Sequence, residues 1–201
     1  MAVGCVIGLA TPAIANPQSP NTPIPQPYKW LYNFHSGKCI NVTNSSSANG
    51  VQLRQEKCAN RESFGWLPES GFDGEEYFFR NAVSSKCMSI QNLHSGSAIV
   101  QEPCNYQNPP ANQRFVFIYI EQSHNYGWYI VQSVRSLLCL RLNNASKNNH
   151  AALVQHACDT PQGQEFFILV TAGTHLPCPC TQASSASASE RPAVIAPGRT
   201  A

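Results

Sequence analysis

SGKCINVTNSSSANGVQLRQEKC, Ser36 to Cys58, returns to a cysteine 19 residues after its first. SSKCMSIQNLHSGSAIVQEPC does so between Cys87 and Cys104, after 17 residues, and SLLCLRLNNASKNNHAALVQHAC between Cys139 and Cys158, after 19. The first cysteines stand 48 and 52 residues apart. Three such stretches are an internal repeat, and a repeat is read before anything else. A glutamine precedes each second cysteine by three positions (Gln55, Gln101, Gln155). An apolar residue follows each first cysteine (Ile40, Met88, Leu140), and another comes two positions later (Val42, Ile90, Leu142). Beyond each second cysteine a polar or small loop leads to an aromatic: FGW ending at Trp66, QRF at Phe115, QEF at Phe166.

Within each copy the apolar residues alternate over short runs, separated by Gly, Pro, Asn and Ser, which is the pattern of strands and not helices. KWLYNF, KCINV, VQLRQE and FGWLPE make four strands in copy one. EYFFRN, KCMSI, AIVQE and FVFIYI repeat them in copy two, and GWYIVQS, LLCLRL, ALVQH and FFILV in copy three. A four-stranded unit cannot cover its own edges and its apolar face, so the copies are expected to close on one another. Three equivalent units around an axis give an all-β fold, a β-trefoil, with Trp66, Phe115 and Phe166 expected in its core. Each cysteine pair brackets two strands and their loop. Bridges Cys39–Cys58, Cys87–Cys104 and Cys139–Cys158 are therefore expected, each stabilising by about 3 kcal/mol through loop closure. A zinc site is disfavoured because zinc sites use close pairs such as C-x-x-C, and no metal or cofactor is expected.

Charged residues are 12% of the chain and the formal net charge is +2. No basic run interleaved with aromatics is present to neutralise phosphates, which argues against nucleic acid as a partner, and no polybasic stretch suits a membrane surface. The chain opens with MAVGCVIGLATPAIANPQSP. Its apolar run is too short to span a bilayer, and it ends in Ala13-Ile14-Ala15, a small-residue cleavage pattern. Residues 1–15 are read as a secretory signal lacking its basic start, since the first basic residue is Lys29. Residues 16–27 read as a Pro-rich linker, 28–171 as the trefoil (repeats near 28–70, 75–120 and 126–171), and 172–201 as a disordered Ala/Ser/Pro tail. That tail holds Cys178 and Cys180 as C-P-C, suited to bonding another chain in an oxidising compartment. A secreted, extracellular protein is the expectation.

No G-x-S-x-G, H-E-x-x-H or phosphate-cradling glycine loop occurs, and Asp73, Glu75 and Glu76 of GFDGEEY read as a solvated turn. No enzyme activity is expected.

From about Tyr28 to Thr171 the chain resembles the ricin-type (R-type) β-trefoil lectins, through SGKCINV…SANGVQLRQ…C and the NQRF of copy two. The resemblance implies a galactose- or xylose-type glycan ligand, up to three shallow sites, and no catalysis by the module. It also implies a site made of three parts. An Asp two residues after the first cysteine accepts sugar hydroxyls. An aromatic two residues before the second cysteine stacks on the ring. An Asn just before the Gln-x-aromatic element adds a hydroxyl contact. A sugar's hydroxyl edge and C–H face want both kinds of partner. Here the Asp position holds Asn41, Ser89 and Arg141; the aromatic position Glu56, Glu102 and His156; the Asn position Ser63, Asn112 and Gly163. Gln113 and Gln164 keep the Gln-x-aromatic element and are expected to hold its turn. Asn41, Glu56, Ser89, Asn112, Gln113, Arg141, His156 and Gln164 are the candidate carbohydrate-binding residues. The departures leave open an alternative: a non-catalytic cell-binding or accessory subunit of the toxin-delivery type, using the trefoil against a protein. An inhibitor-type trefoil is a weaker third reading.

Overall fold

The computed structural model describes residues 26–71, 74–123, 126–158 and 166–174. The stretch expected to be a signal, most of the expected linker and tail with Cys178 and Cys180, and Asp73, Gly163 and Gln164 lie outside the described residues.

Twelve strands are found among them, four in each third. Copy one has β1 (Lys29–Asn33), β2 (Lys38–Val42), β3 (Val51–Glu56) and β4 (Gly65–Ser70). Copy two has β5 (Glu76–Asn81), β6 (Cys87–Ile90), β7 (Ile99–Glu102) and β8 (Phe115–Ser123). Copy three has β9 (Tyr126–Ser133), β10 (Cys139–Leu142), β11 (Leu153–His156) and β12 (Phe166–Val170). The first and last strands of the copies pair antiparallel in a closed ring, β1–β4–β5–β8–β9–β12 and back to β1. Closure removes the sheet edges that one copy alone would expose. The middle strands form three hairpins, β2–β3, β6–β7 and β10–β11. These hairpins meet in a triangle over one end of the ring through β3–β7 pairing and the bridges Arg54↔Ala152 and Ala98↔Val154. The arrangement is consistent with a β-trefoil.

The ring is filled by side chains at matching positions. Leu31, Phe79 and Val131 on the first strands, and Trp66, Phe115 and Phe167 on the last, are all 0% exposed. Phe167 replaces the expected Phe166. In register Trp66 faces Lys29, Phe115 faces Tyr77 and Phe167 faces Tyr129. Phe166, one residue earlier, therefore falls on the opposite face of its strand; it packs half-buried against a second apolar cluster around Tyr32 and Trp128.

The disulfides are Cys39–Cys58, Cys87–Cys104 and Cys139–Cys158, with Cα separations of 4.9, 5.0 and 5.1 Å. Each ties the base of its own hairpin. The recurring glutamines tie the copies together instead. Gln101 Nε2 of copy two donates to Ser46 O and Ala48 O of copy one, at 2.8 and 2.7 Å. Gln155 Nε2 of copy three donates to Asn92 O and His94 O of copy two, at 2.6 and 3.1 Å. Gln55 Nε2 of copy one closes the cycle on Ser146 O and Asn148 O of copy three, both at 2.8 Å. All three glutamines are fully buried. Each supplies the donors that a neighbouring loop's carbonyls would lose on leaving water.

Candidate functional site

The hairpin register sets the candidate positions. The residue two after each first cysteine faces across its hairpin: Asn41 to Arg54, Ser89 to Val100, Arg141 to Val154. The residue two before each second cysteine sits directly opposite the first: Glu56 to Cys39, Glu102 to Cys87, His156 to Cys139. The three copies then diverge.

In copy two the Asp and Asn positions bond to each other. Asn112 Nδ2 donates to Ser89 Oγ at 2.9 Å, and Ser89 is 1% exposed. Gln113 Nε2 donates to Pro103 O at 2.9 Å, tying the loop beyond β7, and its Oε1 is buried without a hydrogen-bond partner among the described residues. Glu102, in the stacking position, offers no ring.

In copy one Asn41 is 4% exposed and lies on β2, against which the short 3-10 turn Glu62–Phe64 packs. The same turn packs against the next short turn, Thr43–Ser45. Phe64 takes the place that Gln113 holds in copy two and is buried in the second apolar cluster. Ser63 is buried as well. Asn41 Oδ1, Thr43 Oγ1 and Glu62 Oε2 are buried atoms with no hydrogen-bond partner among the described residues. Burial raises the Glu62 carboxyl above its ordinary pKa. The three atoms thus lie on elements that pack on one another, and Thr43 as a residue is half-exposed. Glu56 does not join them: its Oε1 lies 3.1 Å from Nδ1 of His150, on copy three.

Copy three presents Arg141 and His156, both half-exposed, and Gln164 lies outside the described residues. The step from Phe166 to Phe167 also shifts the frame there by one position, so Gln164 stands three residues before the core aromatic where Gln113 stands two.

Sequence reasoning passed over Glu62 and Thr43. Glu62 is adjacent to the Asn position, in RESFGW where copy two reads ANQRF; its importance comes from burial on that turn, for which the sequence carries no signal. Among the described residues no three His, Cys, Asp or Glu side chains converge as metal ligands, and no helix is long and apolar enough to cross a membrane.

The sequence matches the family described as ricin-type beta-trefoil lectin domain-like over residues 21–105 and 111–182. The chain belongs to that family. Among curated proteins none matches. Solved structures of similar fold include the designed threefold-symmetric protein ThreeFoil, at TM-score 0.62 and 21% identity over 71% of this chain and 97% of that one. The cytolethal distending toxin from Actinobacillus actinomycetemcomitans aligns at TM-score 0.58 and 15% identity, over 75% of this chain and 95% of that one. The C-half of the earthworm R-type lectin, in complex with GalNAc, aligns at 0.52 and 12%, over 71% and 97%. At these identities the likeness is one of fold.

Proposed function

We propose that this ricin-type lectin-family member is a secreted, non-catalytic glycan-binding protein of galactose- or xylose-type preference, whose working locus is in copy one. The observation that carries the reading is the set of buried acceptors without partners among the described residues, Asn41 Oδ1, Thr43 Oγ1 and Glu62 Oε2. Buried polar atoms without partners cost stability, and sugar hydroxyls are donors of the right kind to satisfy them. Glu62 would supply the charge-assisted bond that the neutral Asn41 cannot. Copy two has internal partners at its two equivalent positions and would contribute little. The GalNAc-bound earthworm lectin and the three disulfides, which suit an oxidising compartment, support the same reading.

A second reading has its own support: glutamates at the stacking positions of copies one and two, and the fold likeness to a cytolethal distending toxin. In it the trefoil is an accessory or cell-binding subunit that contacts protein. A glycan array with the full chain separates the two. The lectin reading expects binding that falls about tenfold or more in Asn41→Ala and is unchanged in Asn112→Ala. A blank array from folded protein, or loss in Asn112→Ala with Asn41→Ala unaffected, would reject copy one as the locus. A blank array with a co-purifying protein partner would favour the accessory subunit.

A further inference from the structure

At the end of the ring opposite the hairpin triangle the described residues leave a cavity. Two residues beyond the core aromatics on β4, β8 and β12 stand Pro68, Phe117 and Leu169; facing those aromatics from β5 and β9 stand Tyr77 and Tyr129. These five line a cavity of about 830 Å³. Its rings form an edge-to-face ladder, with centroids 5.2 Å apart for Tyr77–Phe117, 5.7 Å for Phe117–Tyr129 and 5.6 Å for Tyr119–Tyr129. The third position equivalent to Tyr77 and Tyr129 is Lys29, whose ammonium donates to Thr171 Oγ1 at 2.9 Å and does not line the cavity. The threefold pattern is thus broken where a third ring would narrow the cup. Gly127 keeps the wall thin: a Cβ there would lie 3.2 Å from Tyr129 Oη and 3.4 Å from Tyr119 Cε2.

We infer that this cup is a second binding site, for an uncharged hydrophobic molecule with a ring-bearing or branched-alkyl body. Its size falls in the range of small-molecule pockets, and its lining mixes the aromatic and aliphatic surface of Phe117, Val116 and Leu169 with polar surface. Among the described lining residues Glu75 alone carries a charge, and it is acidic, which disfavours fatty acids and other anions. The nearby acids Glu69 and Glu76 are paired with Arg80 at 2.7 Å and Arg114 at 2.6 Å. Tyr119, 56% exposed, extends the aromatic wall as a lip for a ligand longer than the cup. The site lies at the other end of the barrel from the copy-one locus and does not depend on the glycan reading.

Titration of the full chain with N-phenylnaphthylamine, an uncharged fluorescent probe, tests the inference. A saturable, blue-shifted enhancement is expected, with anilinonaphthalene sulfonate, its anionic relative, binding about tenfold more weakly. Leu169→Trp fills the cup and is expected to raise the probe's Kd about tenfold; Tyr119→Lys, at the exposed lip and tolerant of substitution, is expected to raise it about threefold. Excess lactose should leave the signal unchanged. Absence of saturable enhancement, unchanged binding in whichever of these variants stays folded by circular dichroism, equal affinity for the sulfonate, or displacement by lactose would each overturn the proposal.

Discussion

Copies one and two place polar side chains at the same two positions of the same scaffold, yet only in copy two do those side chains bond to each other. Asn112 and Ser89 close at 2.9 Å. In copy one Ser63 is shorter than Asn112, and the extra polar group is Glu62, one residue earlier on the same turn. The amide and the hydroxyl have exchanged positions, and Asn41 Oδ1 is left without a hydrogen-bond partner among the described residues. Local satisfaction stabilises a fold; incomplete satisfaction leaves capacity for a ligand, at a cost in stability. The two copies show both outcomes within one chain.

The largest test of that contrast acts on the loops framing each locus. Gln101 holds the Ser46–Ala48 segment of copy one, and Gln155 the Asn92–His94 segment of copy two. Replacing either by alanine strands two carbonyls, a loss of about 2–4 kcal/mol in urea unfolding. Stability is expected to fall further in Gln155→Ala, which also loses the bond that Gln155 Oε1 accepts from Ser136 Oγ at 2.7 Å. Glycan retention should fall in Gln101→Ala and hold in Gln155→Ala at temperatures where both remain folded. Equal loss of retention would mean that the copies contribute alike.

How much of this was legible beforehand depended on whether a role repeats. The cysteines and the three glutamines recur at fixed offsets, so the copies, the bridges and the four-strand rhythm could be read directly. What the glutamines do could not, because each acts on a loop of another copy, between 53 and 93 residues away. Phe166 and Phe167 are adjacent and equally apolar, and only strand register decides which faces the axis. The distinction between Asn41 and Ser89 was visible as residue type but not as bonding. The aromatic cup was hidden because Tyr77, Phe117 and Tyr129 looked like ordinary strand residues until closure of the ring set them around one opening.

A smaller effect isolates Glu62. Burial raises its folded-state pKa, so the folded protein holds this proton more tightly than the unfolded chain does. The associated stability is fully present below the ordinary carboxyl pKa and is lost as pH rises through the raised folded value. At neutral pH the ionised group is therefore a burden. Glu62→Gln should stabilise the protein by about 1 kcal/mol near pH 7, with the difference shrinking at about pH 4, where wild type is protonated too. The same variant should weaken glycan binding, since an amide is a poorer acceptor than a carboxylate. Destabilisation at neutral pH would show that Glu62 has a structural partner and would remove it from the locus.

The smallest expected effect lies where copy three departs from both others. Gly50 and Gly96 take φ of 71° and 83°, and their amides bond the glutamine carbonyls of the next copy, Gln101 O and Gln155 O. His150 makes the same bond to Gln55 O with φ of 64°, though it carries a side chain. A left-handed conformation costs a non-glycine residue about 1–2 kcal/mol, and glycine's extra unfolded-state freedom offsets about half of that. Against this stands the contact of His150 with Glu56, which at 69% exposure of the histidine side chain contributes little. His150→Gly should therefore raise the unfolding free energy by about 0.5 kcal/mol. It would also release Glu56, the copy-one residue in the stacking position, and so tests whether that tether shapes the sugar locus. Unchanged glycan affinity in the stabilised variant would place the binding in Asn41, Thr43 and Glu62 alone; a change in affinity would make copy three a contributor to the copy-one site.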